Sequence, residues 1–554
     1  MKRSIYFAAA MPLMLLSLNA FAGQSSANVK GRVLCNGKPV AGVKISDGYI
    51  FAVTGTDGRY EMRSAKKDDA VFIVCPEGYT VPLKDGLRPD FWQYLNLPPD
   101  KEEIHDFVLV PQDQTRYRVI LPTDVHLAND PRRDDLNRFR THTLPLLQEL
   151  HRESQGPVYT IDLGDFTHDF YWYQFDFREM EGVQFYQDCG VPGPVYSVAG
   201  NHDHDPSIAG VEDVDRKAGW MQRECWGPGH YSADIGGDHW IFIDNMYYIN
   251  NPGQGRKAKG LAGDRKCPGR FRPEQLDWLE KDLAMVPSDT RVFMCCHDPV
   301  LRWKGTKSDI PAEQMKRLDD MVSRFKEGLT IFSGHLHRWE TSECEDYPHI
   351  HSHCLAAASG DMWETLRDWK VVSGDGSDSG LTYYDFEKGE KPQFHFSTYK
   401  YGERSYRVYD LNEVGKAYRQ EPAITVQQQK YPKHPDYGDS GYRNVVLVNY
   451  WHQKPGDVVE LYEKGKKLKG EWSHSGDPTY NFAWDVQVLN GKIQKGPHKV
   501  AGVPYMWEFV TRSAKTPVTL VIKDKDGNIL HQETIRRPIP FDPKGDSEPS
   551  IYPE

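Results

Sequence analysis

A chain of 554 residues is several times the usual domain length of roughly 100–200, so more than one domain is required. With 39% hydrophobic and 27% charged residues and a mean hydropathy of −0.66, a membrane-embedded body is excluded. The formal net charge of −11 leaves no basic excess to neutralise a nucleic-acid backbone, so extended nucleic-acid binding is not expected. A small anionic substrate stays open, because metal ions can supply positive charge locally.

Taken in chain order, residues 1–22 read as an export signal: Lys2 and Arg3, an apolar run from Ile5 to Leu18, then Ala20-Phe21-Ala22, the small-x-small pattern of a cleavage site after Ala22. The run is short for a span of about 20 residues, so no integral membrane segment is expected after cleavage. No Cys stands just after the cut, which argues against lipid attachment and for periplasm or medium. Residues 23–112 alternate short apolar runs with Asn-Gly and Asp-Gly turns, the marks of an all-β sandwich. The nine cysteines are an odd number; Cys35 and Cys75, in this same β-rich segment, are the expected pair, and Cys295 and Cys296 are expected as buried thiols.

Residues 113–370 change to strongly apolar strands alternating with helical stretches, the texture of an α/β layer structure. One helix is expected from Pro273, with Leu276, Leu279 and Leu283 on one face; a second, from about Pro311, carries Met315, Leu318, Val322 and Phe325. Residues 371–554 are again β-rich and predict a second sandwich. The expected architecture is therefore an α/β core flanked by two all-β modules.

Five apolar runs in the central region end abruptly in residues able to bind metal: RVILPTDVH, VYTIDLGD, PVYSVAGNHD, RVFMCCHDP and LTIFSGHLH. Singly, each has an ordinary explanation as a turn or helix cap. Together they are the pattern of parallel strands delivering residues to one carboxyl edge, with oxygen and imidazole ligands and glycines for close approach.

These blocks resemble the ordered signature DxH, GD, GNH, H and GHxH of the calcineurin-like metallophosphoesterase family, over about residues 117–360. The flanks are more loosely similar to the β modules of an exported bacterial branch of that family, through DGYIFAVTGTDGRYEM and VVSGDGSDSGLTYYDF. The resemblance implies that Asp124, His126, Asp165 and His337 hold one metal, and Asp165, Asn201, His297 and His335 a second, with Asp165 bridging. It implies two divalent or trivalent transition metal ions (Mn, Zn, Fe, Co or Ni) and hydrolysis of a small phosphate mono- or diester by attack of a metal-bound hydroxide. His202 is the expected proton donor to the leaving oxygen, with Asp203 fixing its tautomer. Purple acid phosphatases have an iron-binding Tyr three residues after the bridging Asp and lack the DxH histidine; here His168 takes that place and His126 is present, which disfavours that branch.

Other features admit two readings. The stretch His168-Asp169-Phe170-Tyr171-Trp172-Tyr173 is either core or a substrate-facing wall. His204 and Asp205 are second-layer partners or loop polarity, and His349, His351 and His353 share a strand face as a third metal site or a polar edge. The segment Arg256 to Arg272 is an anion-holding or a solvated loop. The alternative function, an exported binding protein with a structural, inactive core, predicts lost ligands, and none is missing.

Overall fold

The computed structural model describes residues 27–253, 258–303, 309–363, 371–398, 402–403, 405–421, 443–473, 476–489 and 505–543. The export signal lies outside the described residues. Among them no helix is long and apolar enough to cross a membrane.

The centre is two six-stranded sheets packed face to face. The first has the order Val195–Ser197, Val158–Asp162, Arg116–Leu121, Gly380–Glu387, Gln393–Thr398, Gly402–Glu403. Its first three strands are parallel and the rest antiparallel. The second runs His230–Ile235, Asp238–Ile243, Val292–Cys295, Leu329–Ser333, Ile350–Cys354, Glu340–Ser342, with a parallel run of four in the middle. Strands such as Val158–Asp162 and Val292–Cys295 are buried along their whole length, because sheet lies on one face and helix on the other, hence their continuous apolar sequences.

Aromatic rings join the sheets: Trp240 stacks on Phe293 at 4.5 Å and meets Phe386 of the first sheet at 5.6 Å. Helices Leu144–Glu153 and Glu179–Cys189 cover the first sheet with Leu147, Leu150 and Val183, which share a core with Ile120, Val158 and Val195. Helices Pro273–Ala284 and Ala312–Val322 cover the second, burying the apolar faces expected of them. Proline supplies the first residue of the former, where no intrahelical N–H is needed.

Before this core lie a six- and a four-stranded sheet, anchored by Trp278, whose ring stacks on Phe51 at 5.6 Å and whose Nε1 donates to Ser46 Oγ at 3.0 Å. After it come two four-stranded sheets together with helices Leu411–Gln420 and Pro478–Leu489. Two expectations need correction. Strands Gly380–Glu387, Gln393–Thr398 and Gly402–Glu403, assigned from sequence to the C-terminal module beginning at 371, complete the first central sheet, because Arg116–Leu121 would otherwise be an unpaired hydrophobic edge. Cys35 and Cys75 are both free: Cys35 ends strand Val29–Cys35, whereas Cys75 bridges Ala233 of the central domain, and the Cys75 thiol donates to Tyr79 O at 3.3 Å.

His239, on the second sheet, is buried between two acids, its Nδ1 2.6 Å from Asp234 and its Nε2 2.9 Å from Asp282. Burial alone would lower its pKa, but the carboxylates outweigh it and raise the imidazolium to about 9 from the ordinary 6.5. Its stabilisation is therefore complete below the unfolded value and is lost as pH rises through the folded one. His239→Gln should cost about 3–5 kcal/mol at neutral pH. Thermal melts should also show the deficit of the variant shrinking as pH is taken from 6 to above 9.

Candidate metal centre

The carboxyl ends of both parallel runs meet at one edge of the sandwich. Arg116–Leu121 leads to Asp124 and His126, Val158–Asp162 to Asp165, and Val195–Ser197 to Asn201 and His202; from the second sheet, Val292–Cys295 leads to His297 and Leu329–Ser333 to His335 and His337. Ligand atoms of Asp124, His126, Asp165 and His337 lie within 4.8 Å of one another, as do those of Asp165, His297 and His335. Asn201 joins the second group, its Oδ1 2.6 Å from His335 Nδ1 and 3.2 Å from His297 Nε2. All seven residues singled out from sequence are thus brought together, with Asp165 common to both groups.

The backbone bends sharply to do this. Asp124, His126, Asp165, His335 and His337 all have positive φ, between 51° and 70°, a region that side-chain-bearing residues rarely adopt. Two glycines permit the close approach: a Cβ at Gly334 would lie 1.8 Å from Thr123 Oγ1, and one at Gly200 would lie 2.2 Å from Asp165 N.

The donor set fits a pair of cations. Ring nitrogens face one another, as with His126 Nε2 and His337 Nε2 at 3.0 Å, and among the described residues the two buried carboxylates Asp124 and Asp165 are ion-paired with imidazoles. In the protein alone, protons do this work. Burial opposes charge on His297 and His337, yet the carboxylates of Asp165 and Asp124 raise both to about 10. His335, half-buried, is driven down to about 3 by desolvation and by the neighbouring His297 charge, which leaves its imidazole neutral.

Asp203 does not have the role expected of it. Its carboxylate accepts from the backbone N–H groups of Asp165 at 2.7 Å, Gly200 at 2.8 Å and Thr167 at 3.2 Å, so it clasps two ligand-bearing loops. The partner of His202 is Asp169, whose Oδ1 is 2.6 Å from His202 Nδ1. Asp169 is ion-paired in turn with Arg265, which donates to Asn201 O at 2.6 Å and lies 4.7 Å over the Phe170 ring. Nothing in the aromatic surroundings of Asp169 marks it as that partner; its carboxylate four residues beyond Asp165 is the available signal. Asn245 was also missed: its Oδ1 accepts from His297 N at 3.2 Å and Asp298 N at 3.0 Å, which sets the His297 turn.

The stretch 168–173 divides between the two readings. Phe170 lines a cavity of about 500 Å³ together with Asn201, His202, Arg265, Lys266 and His335. Trp172 is fully buried, and Tyr173 donates to Asp205 at 2.9 Å. His168 packs its ring 4.3 Å from His202 and 5.1 Å from His126, with Nδ1 3.2 Å from Arg133. His204 Nδ1 donates to Gly200 O at 3.0 Å, an internal loop contact. His349, His351 and His353 pair separately with Asp319, Glu343 and Thr341, and form no metal-binding group among the described residues.

Two Asp/His clusters sharing a carboxylate, at the strand ends of a mixed α/β sandwich, define the metallophosphoesterase class of fold. Three family models match the chain in succession: the N terminal of Calcineurin-like phosphoesterase over residues 27–112, Calcineurin-like phosphoesterase over 117–339, and the C terminal of Calcineurin-like phosphoesterase over 352–529. The chain belongs to the calcineurin-like phosphoesterase family. It is 26% identical over 152 residues to the "Probable glycerophosphodiester phosphodiesterase GpdQ" of Arcobacter nitrofigilis, which is 27% of this chain and 47% of that protein. It thus spans about half the length of that curated relative. Among solved structures it is similar to a purple acid phosphatase from yellow lupin (TM-score 0.34, 14% identity, 52% of each chain). Another is a dimetal phosphatase from Danio rerio (TM-score 0.28, 14% identity, 52% of this chain and 100% of that one).

Two outcomes follow from this geometry. Ion binding must displace protons that the carboxylates hold on His297 and His337, so apparent metal affinity should weaken as pH falls, by up to roughly tenfold per unit for each proton displaced. Calorimetric titrations in buffers of different ionisation enthalpy read that proton release directly. Asp203→Ala should lower bound metal by loosening both loops, whereas Asp169→Asn should keep the metal and change only His202; elemental analysis of the two purified variants separates these effects.

Proposed function

We propose that this chain is an exported phosphoesterase that hydrolyses phosphate mono- or diesters with the help of two transition metal ions. The observation that carries the reading is the pair of donor clusters sharing Asp165, with Asn201 and His335 lining an adjoining cavity of about 500 Å³, a space far larger than a phosphoryl group. Family membership supports it, and the similarity to a protein named as a phosphodiesterase supports including diesters. Export rests on the signal pattern of residues 1–22.

Asp124, His126, Asp165 and His337 would hold one ion, and Asp165, Asn201, His297 and His335 the other. Bound there, such a pair supplies Lewis acidity to the phosphoryl oxygens and lowers the pKa of water. The protein's own groups do the rest. His202 is mostly buried but reaches the cavity, and Asp169 occupies its Nδ1, so Nε2 is the nitrogen left to give a proton to the departing oxygen. Arg265 holds Asp169 in place from the other side and ties the arrangement to the Asn201 backbone. Phe170, 5.2 Å from the His202 ring, walls the leaving-group side with an apolar surface.

Strong chelation should abolish hydrolysis of chromogenic mono- and diesters, and added manganese, zinc, cobalt or nickel should restore it. Asp165→Ala, which removes a ligand from both clusters, should leave almost none. Full activity in protein without stoichiometric metal would overturn the proposal. General acid help is typically worth about 10²–10⁴-fold and matters most for basic leaving groups. His202→Ala should therefore keep its metal and much of its rate on nitrophenyl esters, but lose far more on alkyl esters in single-turnover measurements. Equal losses on both would assign His202 an electrostatic role instead.

A further inference from the structure

The C-terminal module reaches the metal centre through two matched contacts. After His335 and His337 the chain runs through strands of the second sheet to a connector that contains Asp361 and Asp375, both buried. Asp361 Oδ1 lies 3.8 Å from His337 Nδ1, the nitrogen that faces away from the cluster; His337 Nε2 is the one that lies 3.2 Å from Asp124 and 3.0 Å from His126 Nε2. The second oxygen of Asp361 accepts from the hydroxyl of Tyr480 at 2.6 Å. Tyr480 belongs to helix Pro478–Leu489 of the C-terminal module, more than a hundred residues further along the chain.

Asp375 repeats the arrangement two residues beyond His337. Its Oδ2 accepts from Trp339 N at 3.0 Å and also from the hydroxyl of Tyr505, which directly precedes strand Met506–Val510 of the same module. The connector is held from that side as well: Asn449 Nδ2 donates to Asp375 O at 2.6 Å and Arg407 Nη1 to Gly376 O at 2.7 Å. Both tyrosines are at most 4% exposed, so the hydroxyls are spent on these carboxylates and not on solvent.

His337 needs such support. Its φ of 51° is a strained conformation for a residue with a side chain, and such conformations persist only where the surroundings over-determine them. An imidazole that binds metal through one nitrogen is ordinarily oriented by a carboxylate at the other, and loss of that partner typically costs 10–100-fold in metal affinity or activity.

We propose that the C-terminal module is a working part of the metal centre: Tyr480, acting through Asp361, is a positioning residue for His337 and sets how tightly the cluster of Asp124, His126, Asp165 and His337 holds its ion. This rests on the two-metal reading above. It gives the module a role, since a central domain without it would lack both hydroxyls that grip the connector.

The test is a metal titration of the full chain, stripped by chelation and refilled with zinc against a fluorescent competitor, which yields two dissociation constants. Tyr480→Phe removes one oxygen and keeps the ring. It should weaken one of the two constants by about tenfold, leave the other within about twofold, and leave the melting temperature of the metal-free protein unchanged. Asp361→Asn should weaken the same constant at least as much, and the double variant should be no worse than Asp361→Asn, because the hydroxyl acts only through the carboxylate. Tyr450→Phe, which removes a hydroxyl bound to Asp457 in the same module, should leave both constants as they were. If Tyr480→Phe leaves both within about twofold, or if the losses add in the double variant, the inference is overturned while the two-metal reading stands. A wild-type chain that binds no zinc would instead overturn that reading, and this inference with it.

Discussion

Two buried carboxylates, Asp124 and Asp165, are the constraint on which the rest of the structure turns. Each is at most 1% exposed, and burial by itself would drive it to the neutral acid. Both are held ionised because His297, His337 and their neighbours place positive charge beside them. That balance is maintained by side chains from both sheets at once, so the relative placement of the sheets and the charge state of the site are one problem. A cation pair serves the same balance better than protons do, because it satisfies the imidazole and carboxylate lone pairs together.

The architecture answers this with rigidity. Aromatic packing between the sheets fixes the two strand-end edges, and the loops that leave them are tied to one another by more than the candidate ligands. Asp203 binds the Asp165 and Gly200 backbones, Asn245 the His297 turn, and Asp124 itself accepts from His335 N at 3.0 Å. Ser359 Oγ donates to Asp124 O at 2.6 Å and Trp363 Nε1 to Val125 O at 2.8 Å, which braces the DxH turn from behind. Five left-handed residues in one site are tolerable only within such a net.

The flanking modules extend the net outwards. The N-terminal module meets the core through aromatic packing, as at Trp278 and Phe51, and through polar contacts such as Arg223 with Asp68 and His230 with Gly48 O. The C-terminal module meets it through buried hydrogen bonds to acids of the connector, which is chemistry with direction. A buried carboxylate gripped on both oxygens transmits position in a way that an apolar contact does not.

The amino-acid sequence by itself determined which strands are buried and what they carry at their ends, because strand burial writes continuous apolar runs and the metal-binding types follow those runs at short range. The two amphipathic helices and the convergence of the seven candidate ligands were legible in that local pattern together with the family signature. Only the tertiary structure decided contacts between segments distant in sequence. It gave Asp169 and not Asp203 to His202, since a neighbour in sequence pointed its carboxylate at backbone N–H groups instead. It returned strand Gly380–Glu387 and its partners to the central sheet, because an unpaired edge has to be closed by whatever strand the chain can bring there. It also left Cys35 and Cys75 unbonded and brought Tyr480 to Asp361. Each of these is set by where backbone donors and strand edges fall in three dimensions, a quantity that no local periodicity records.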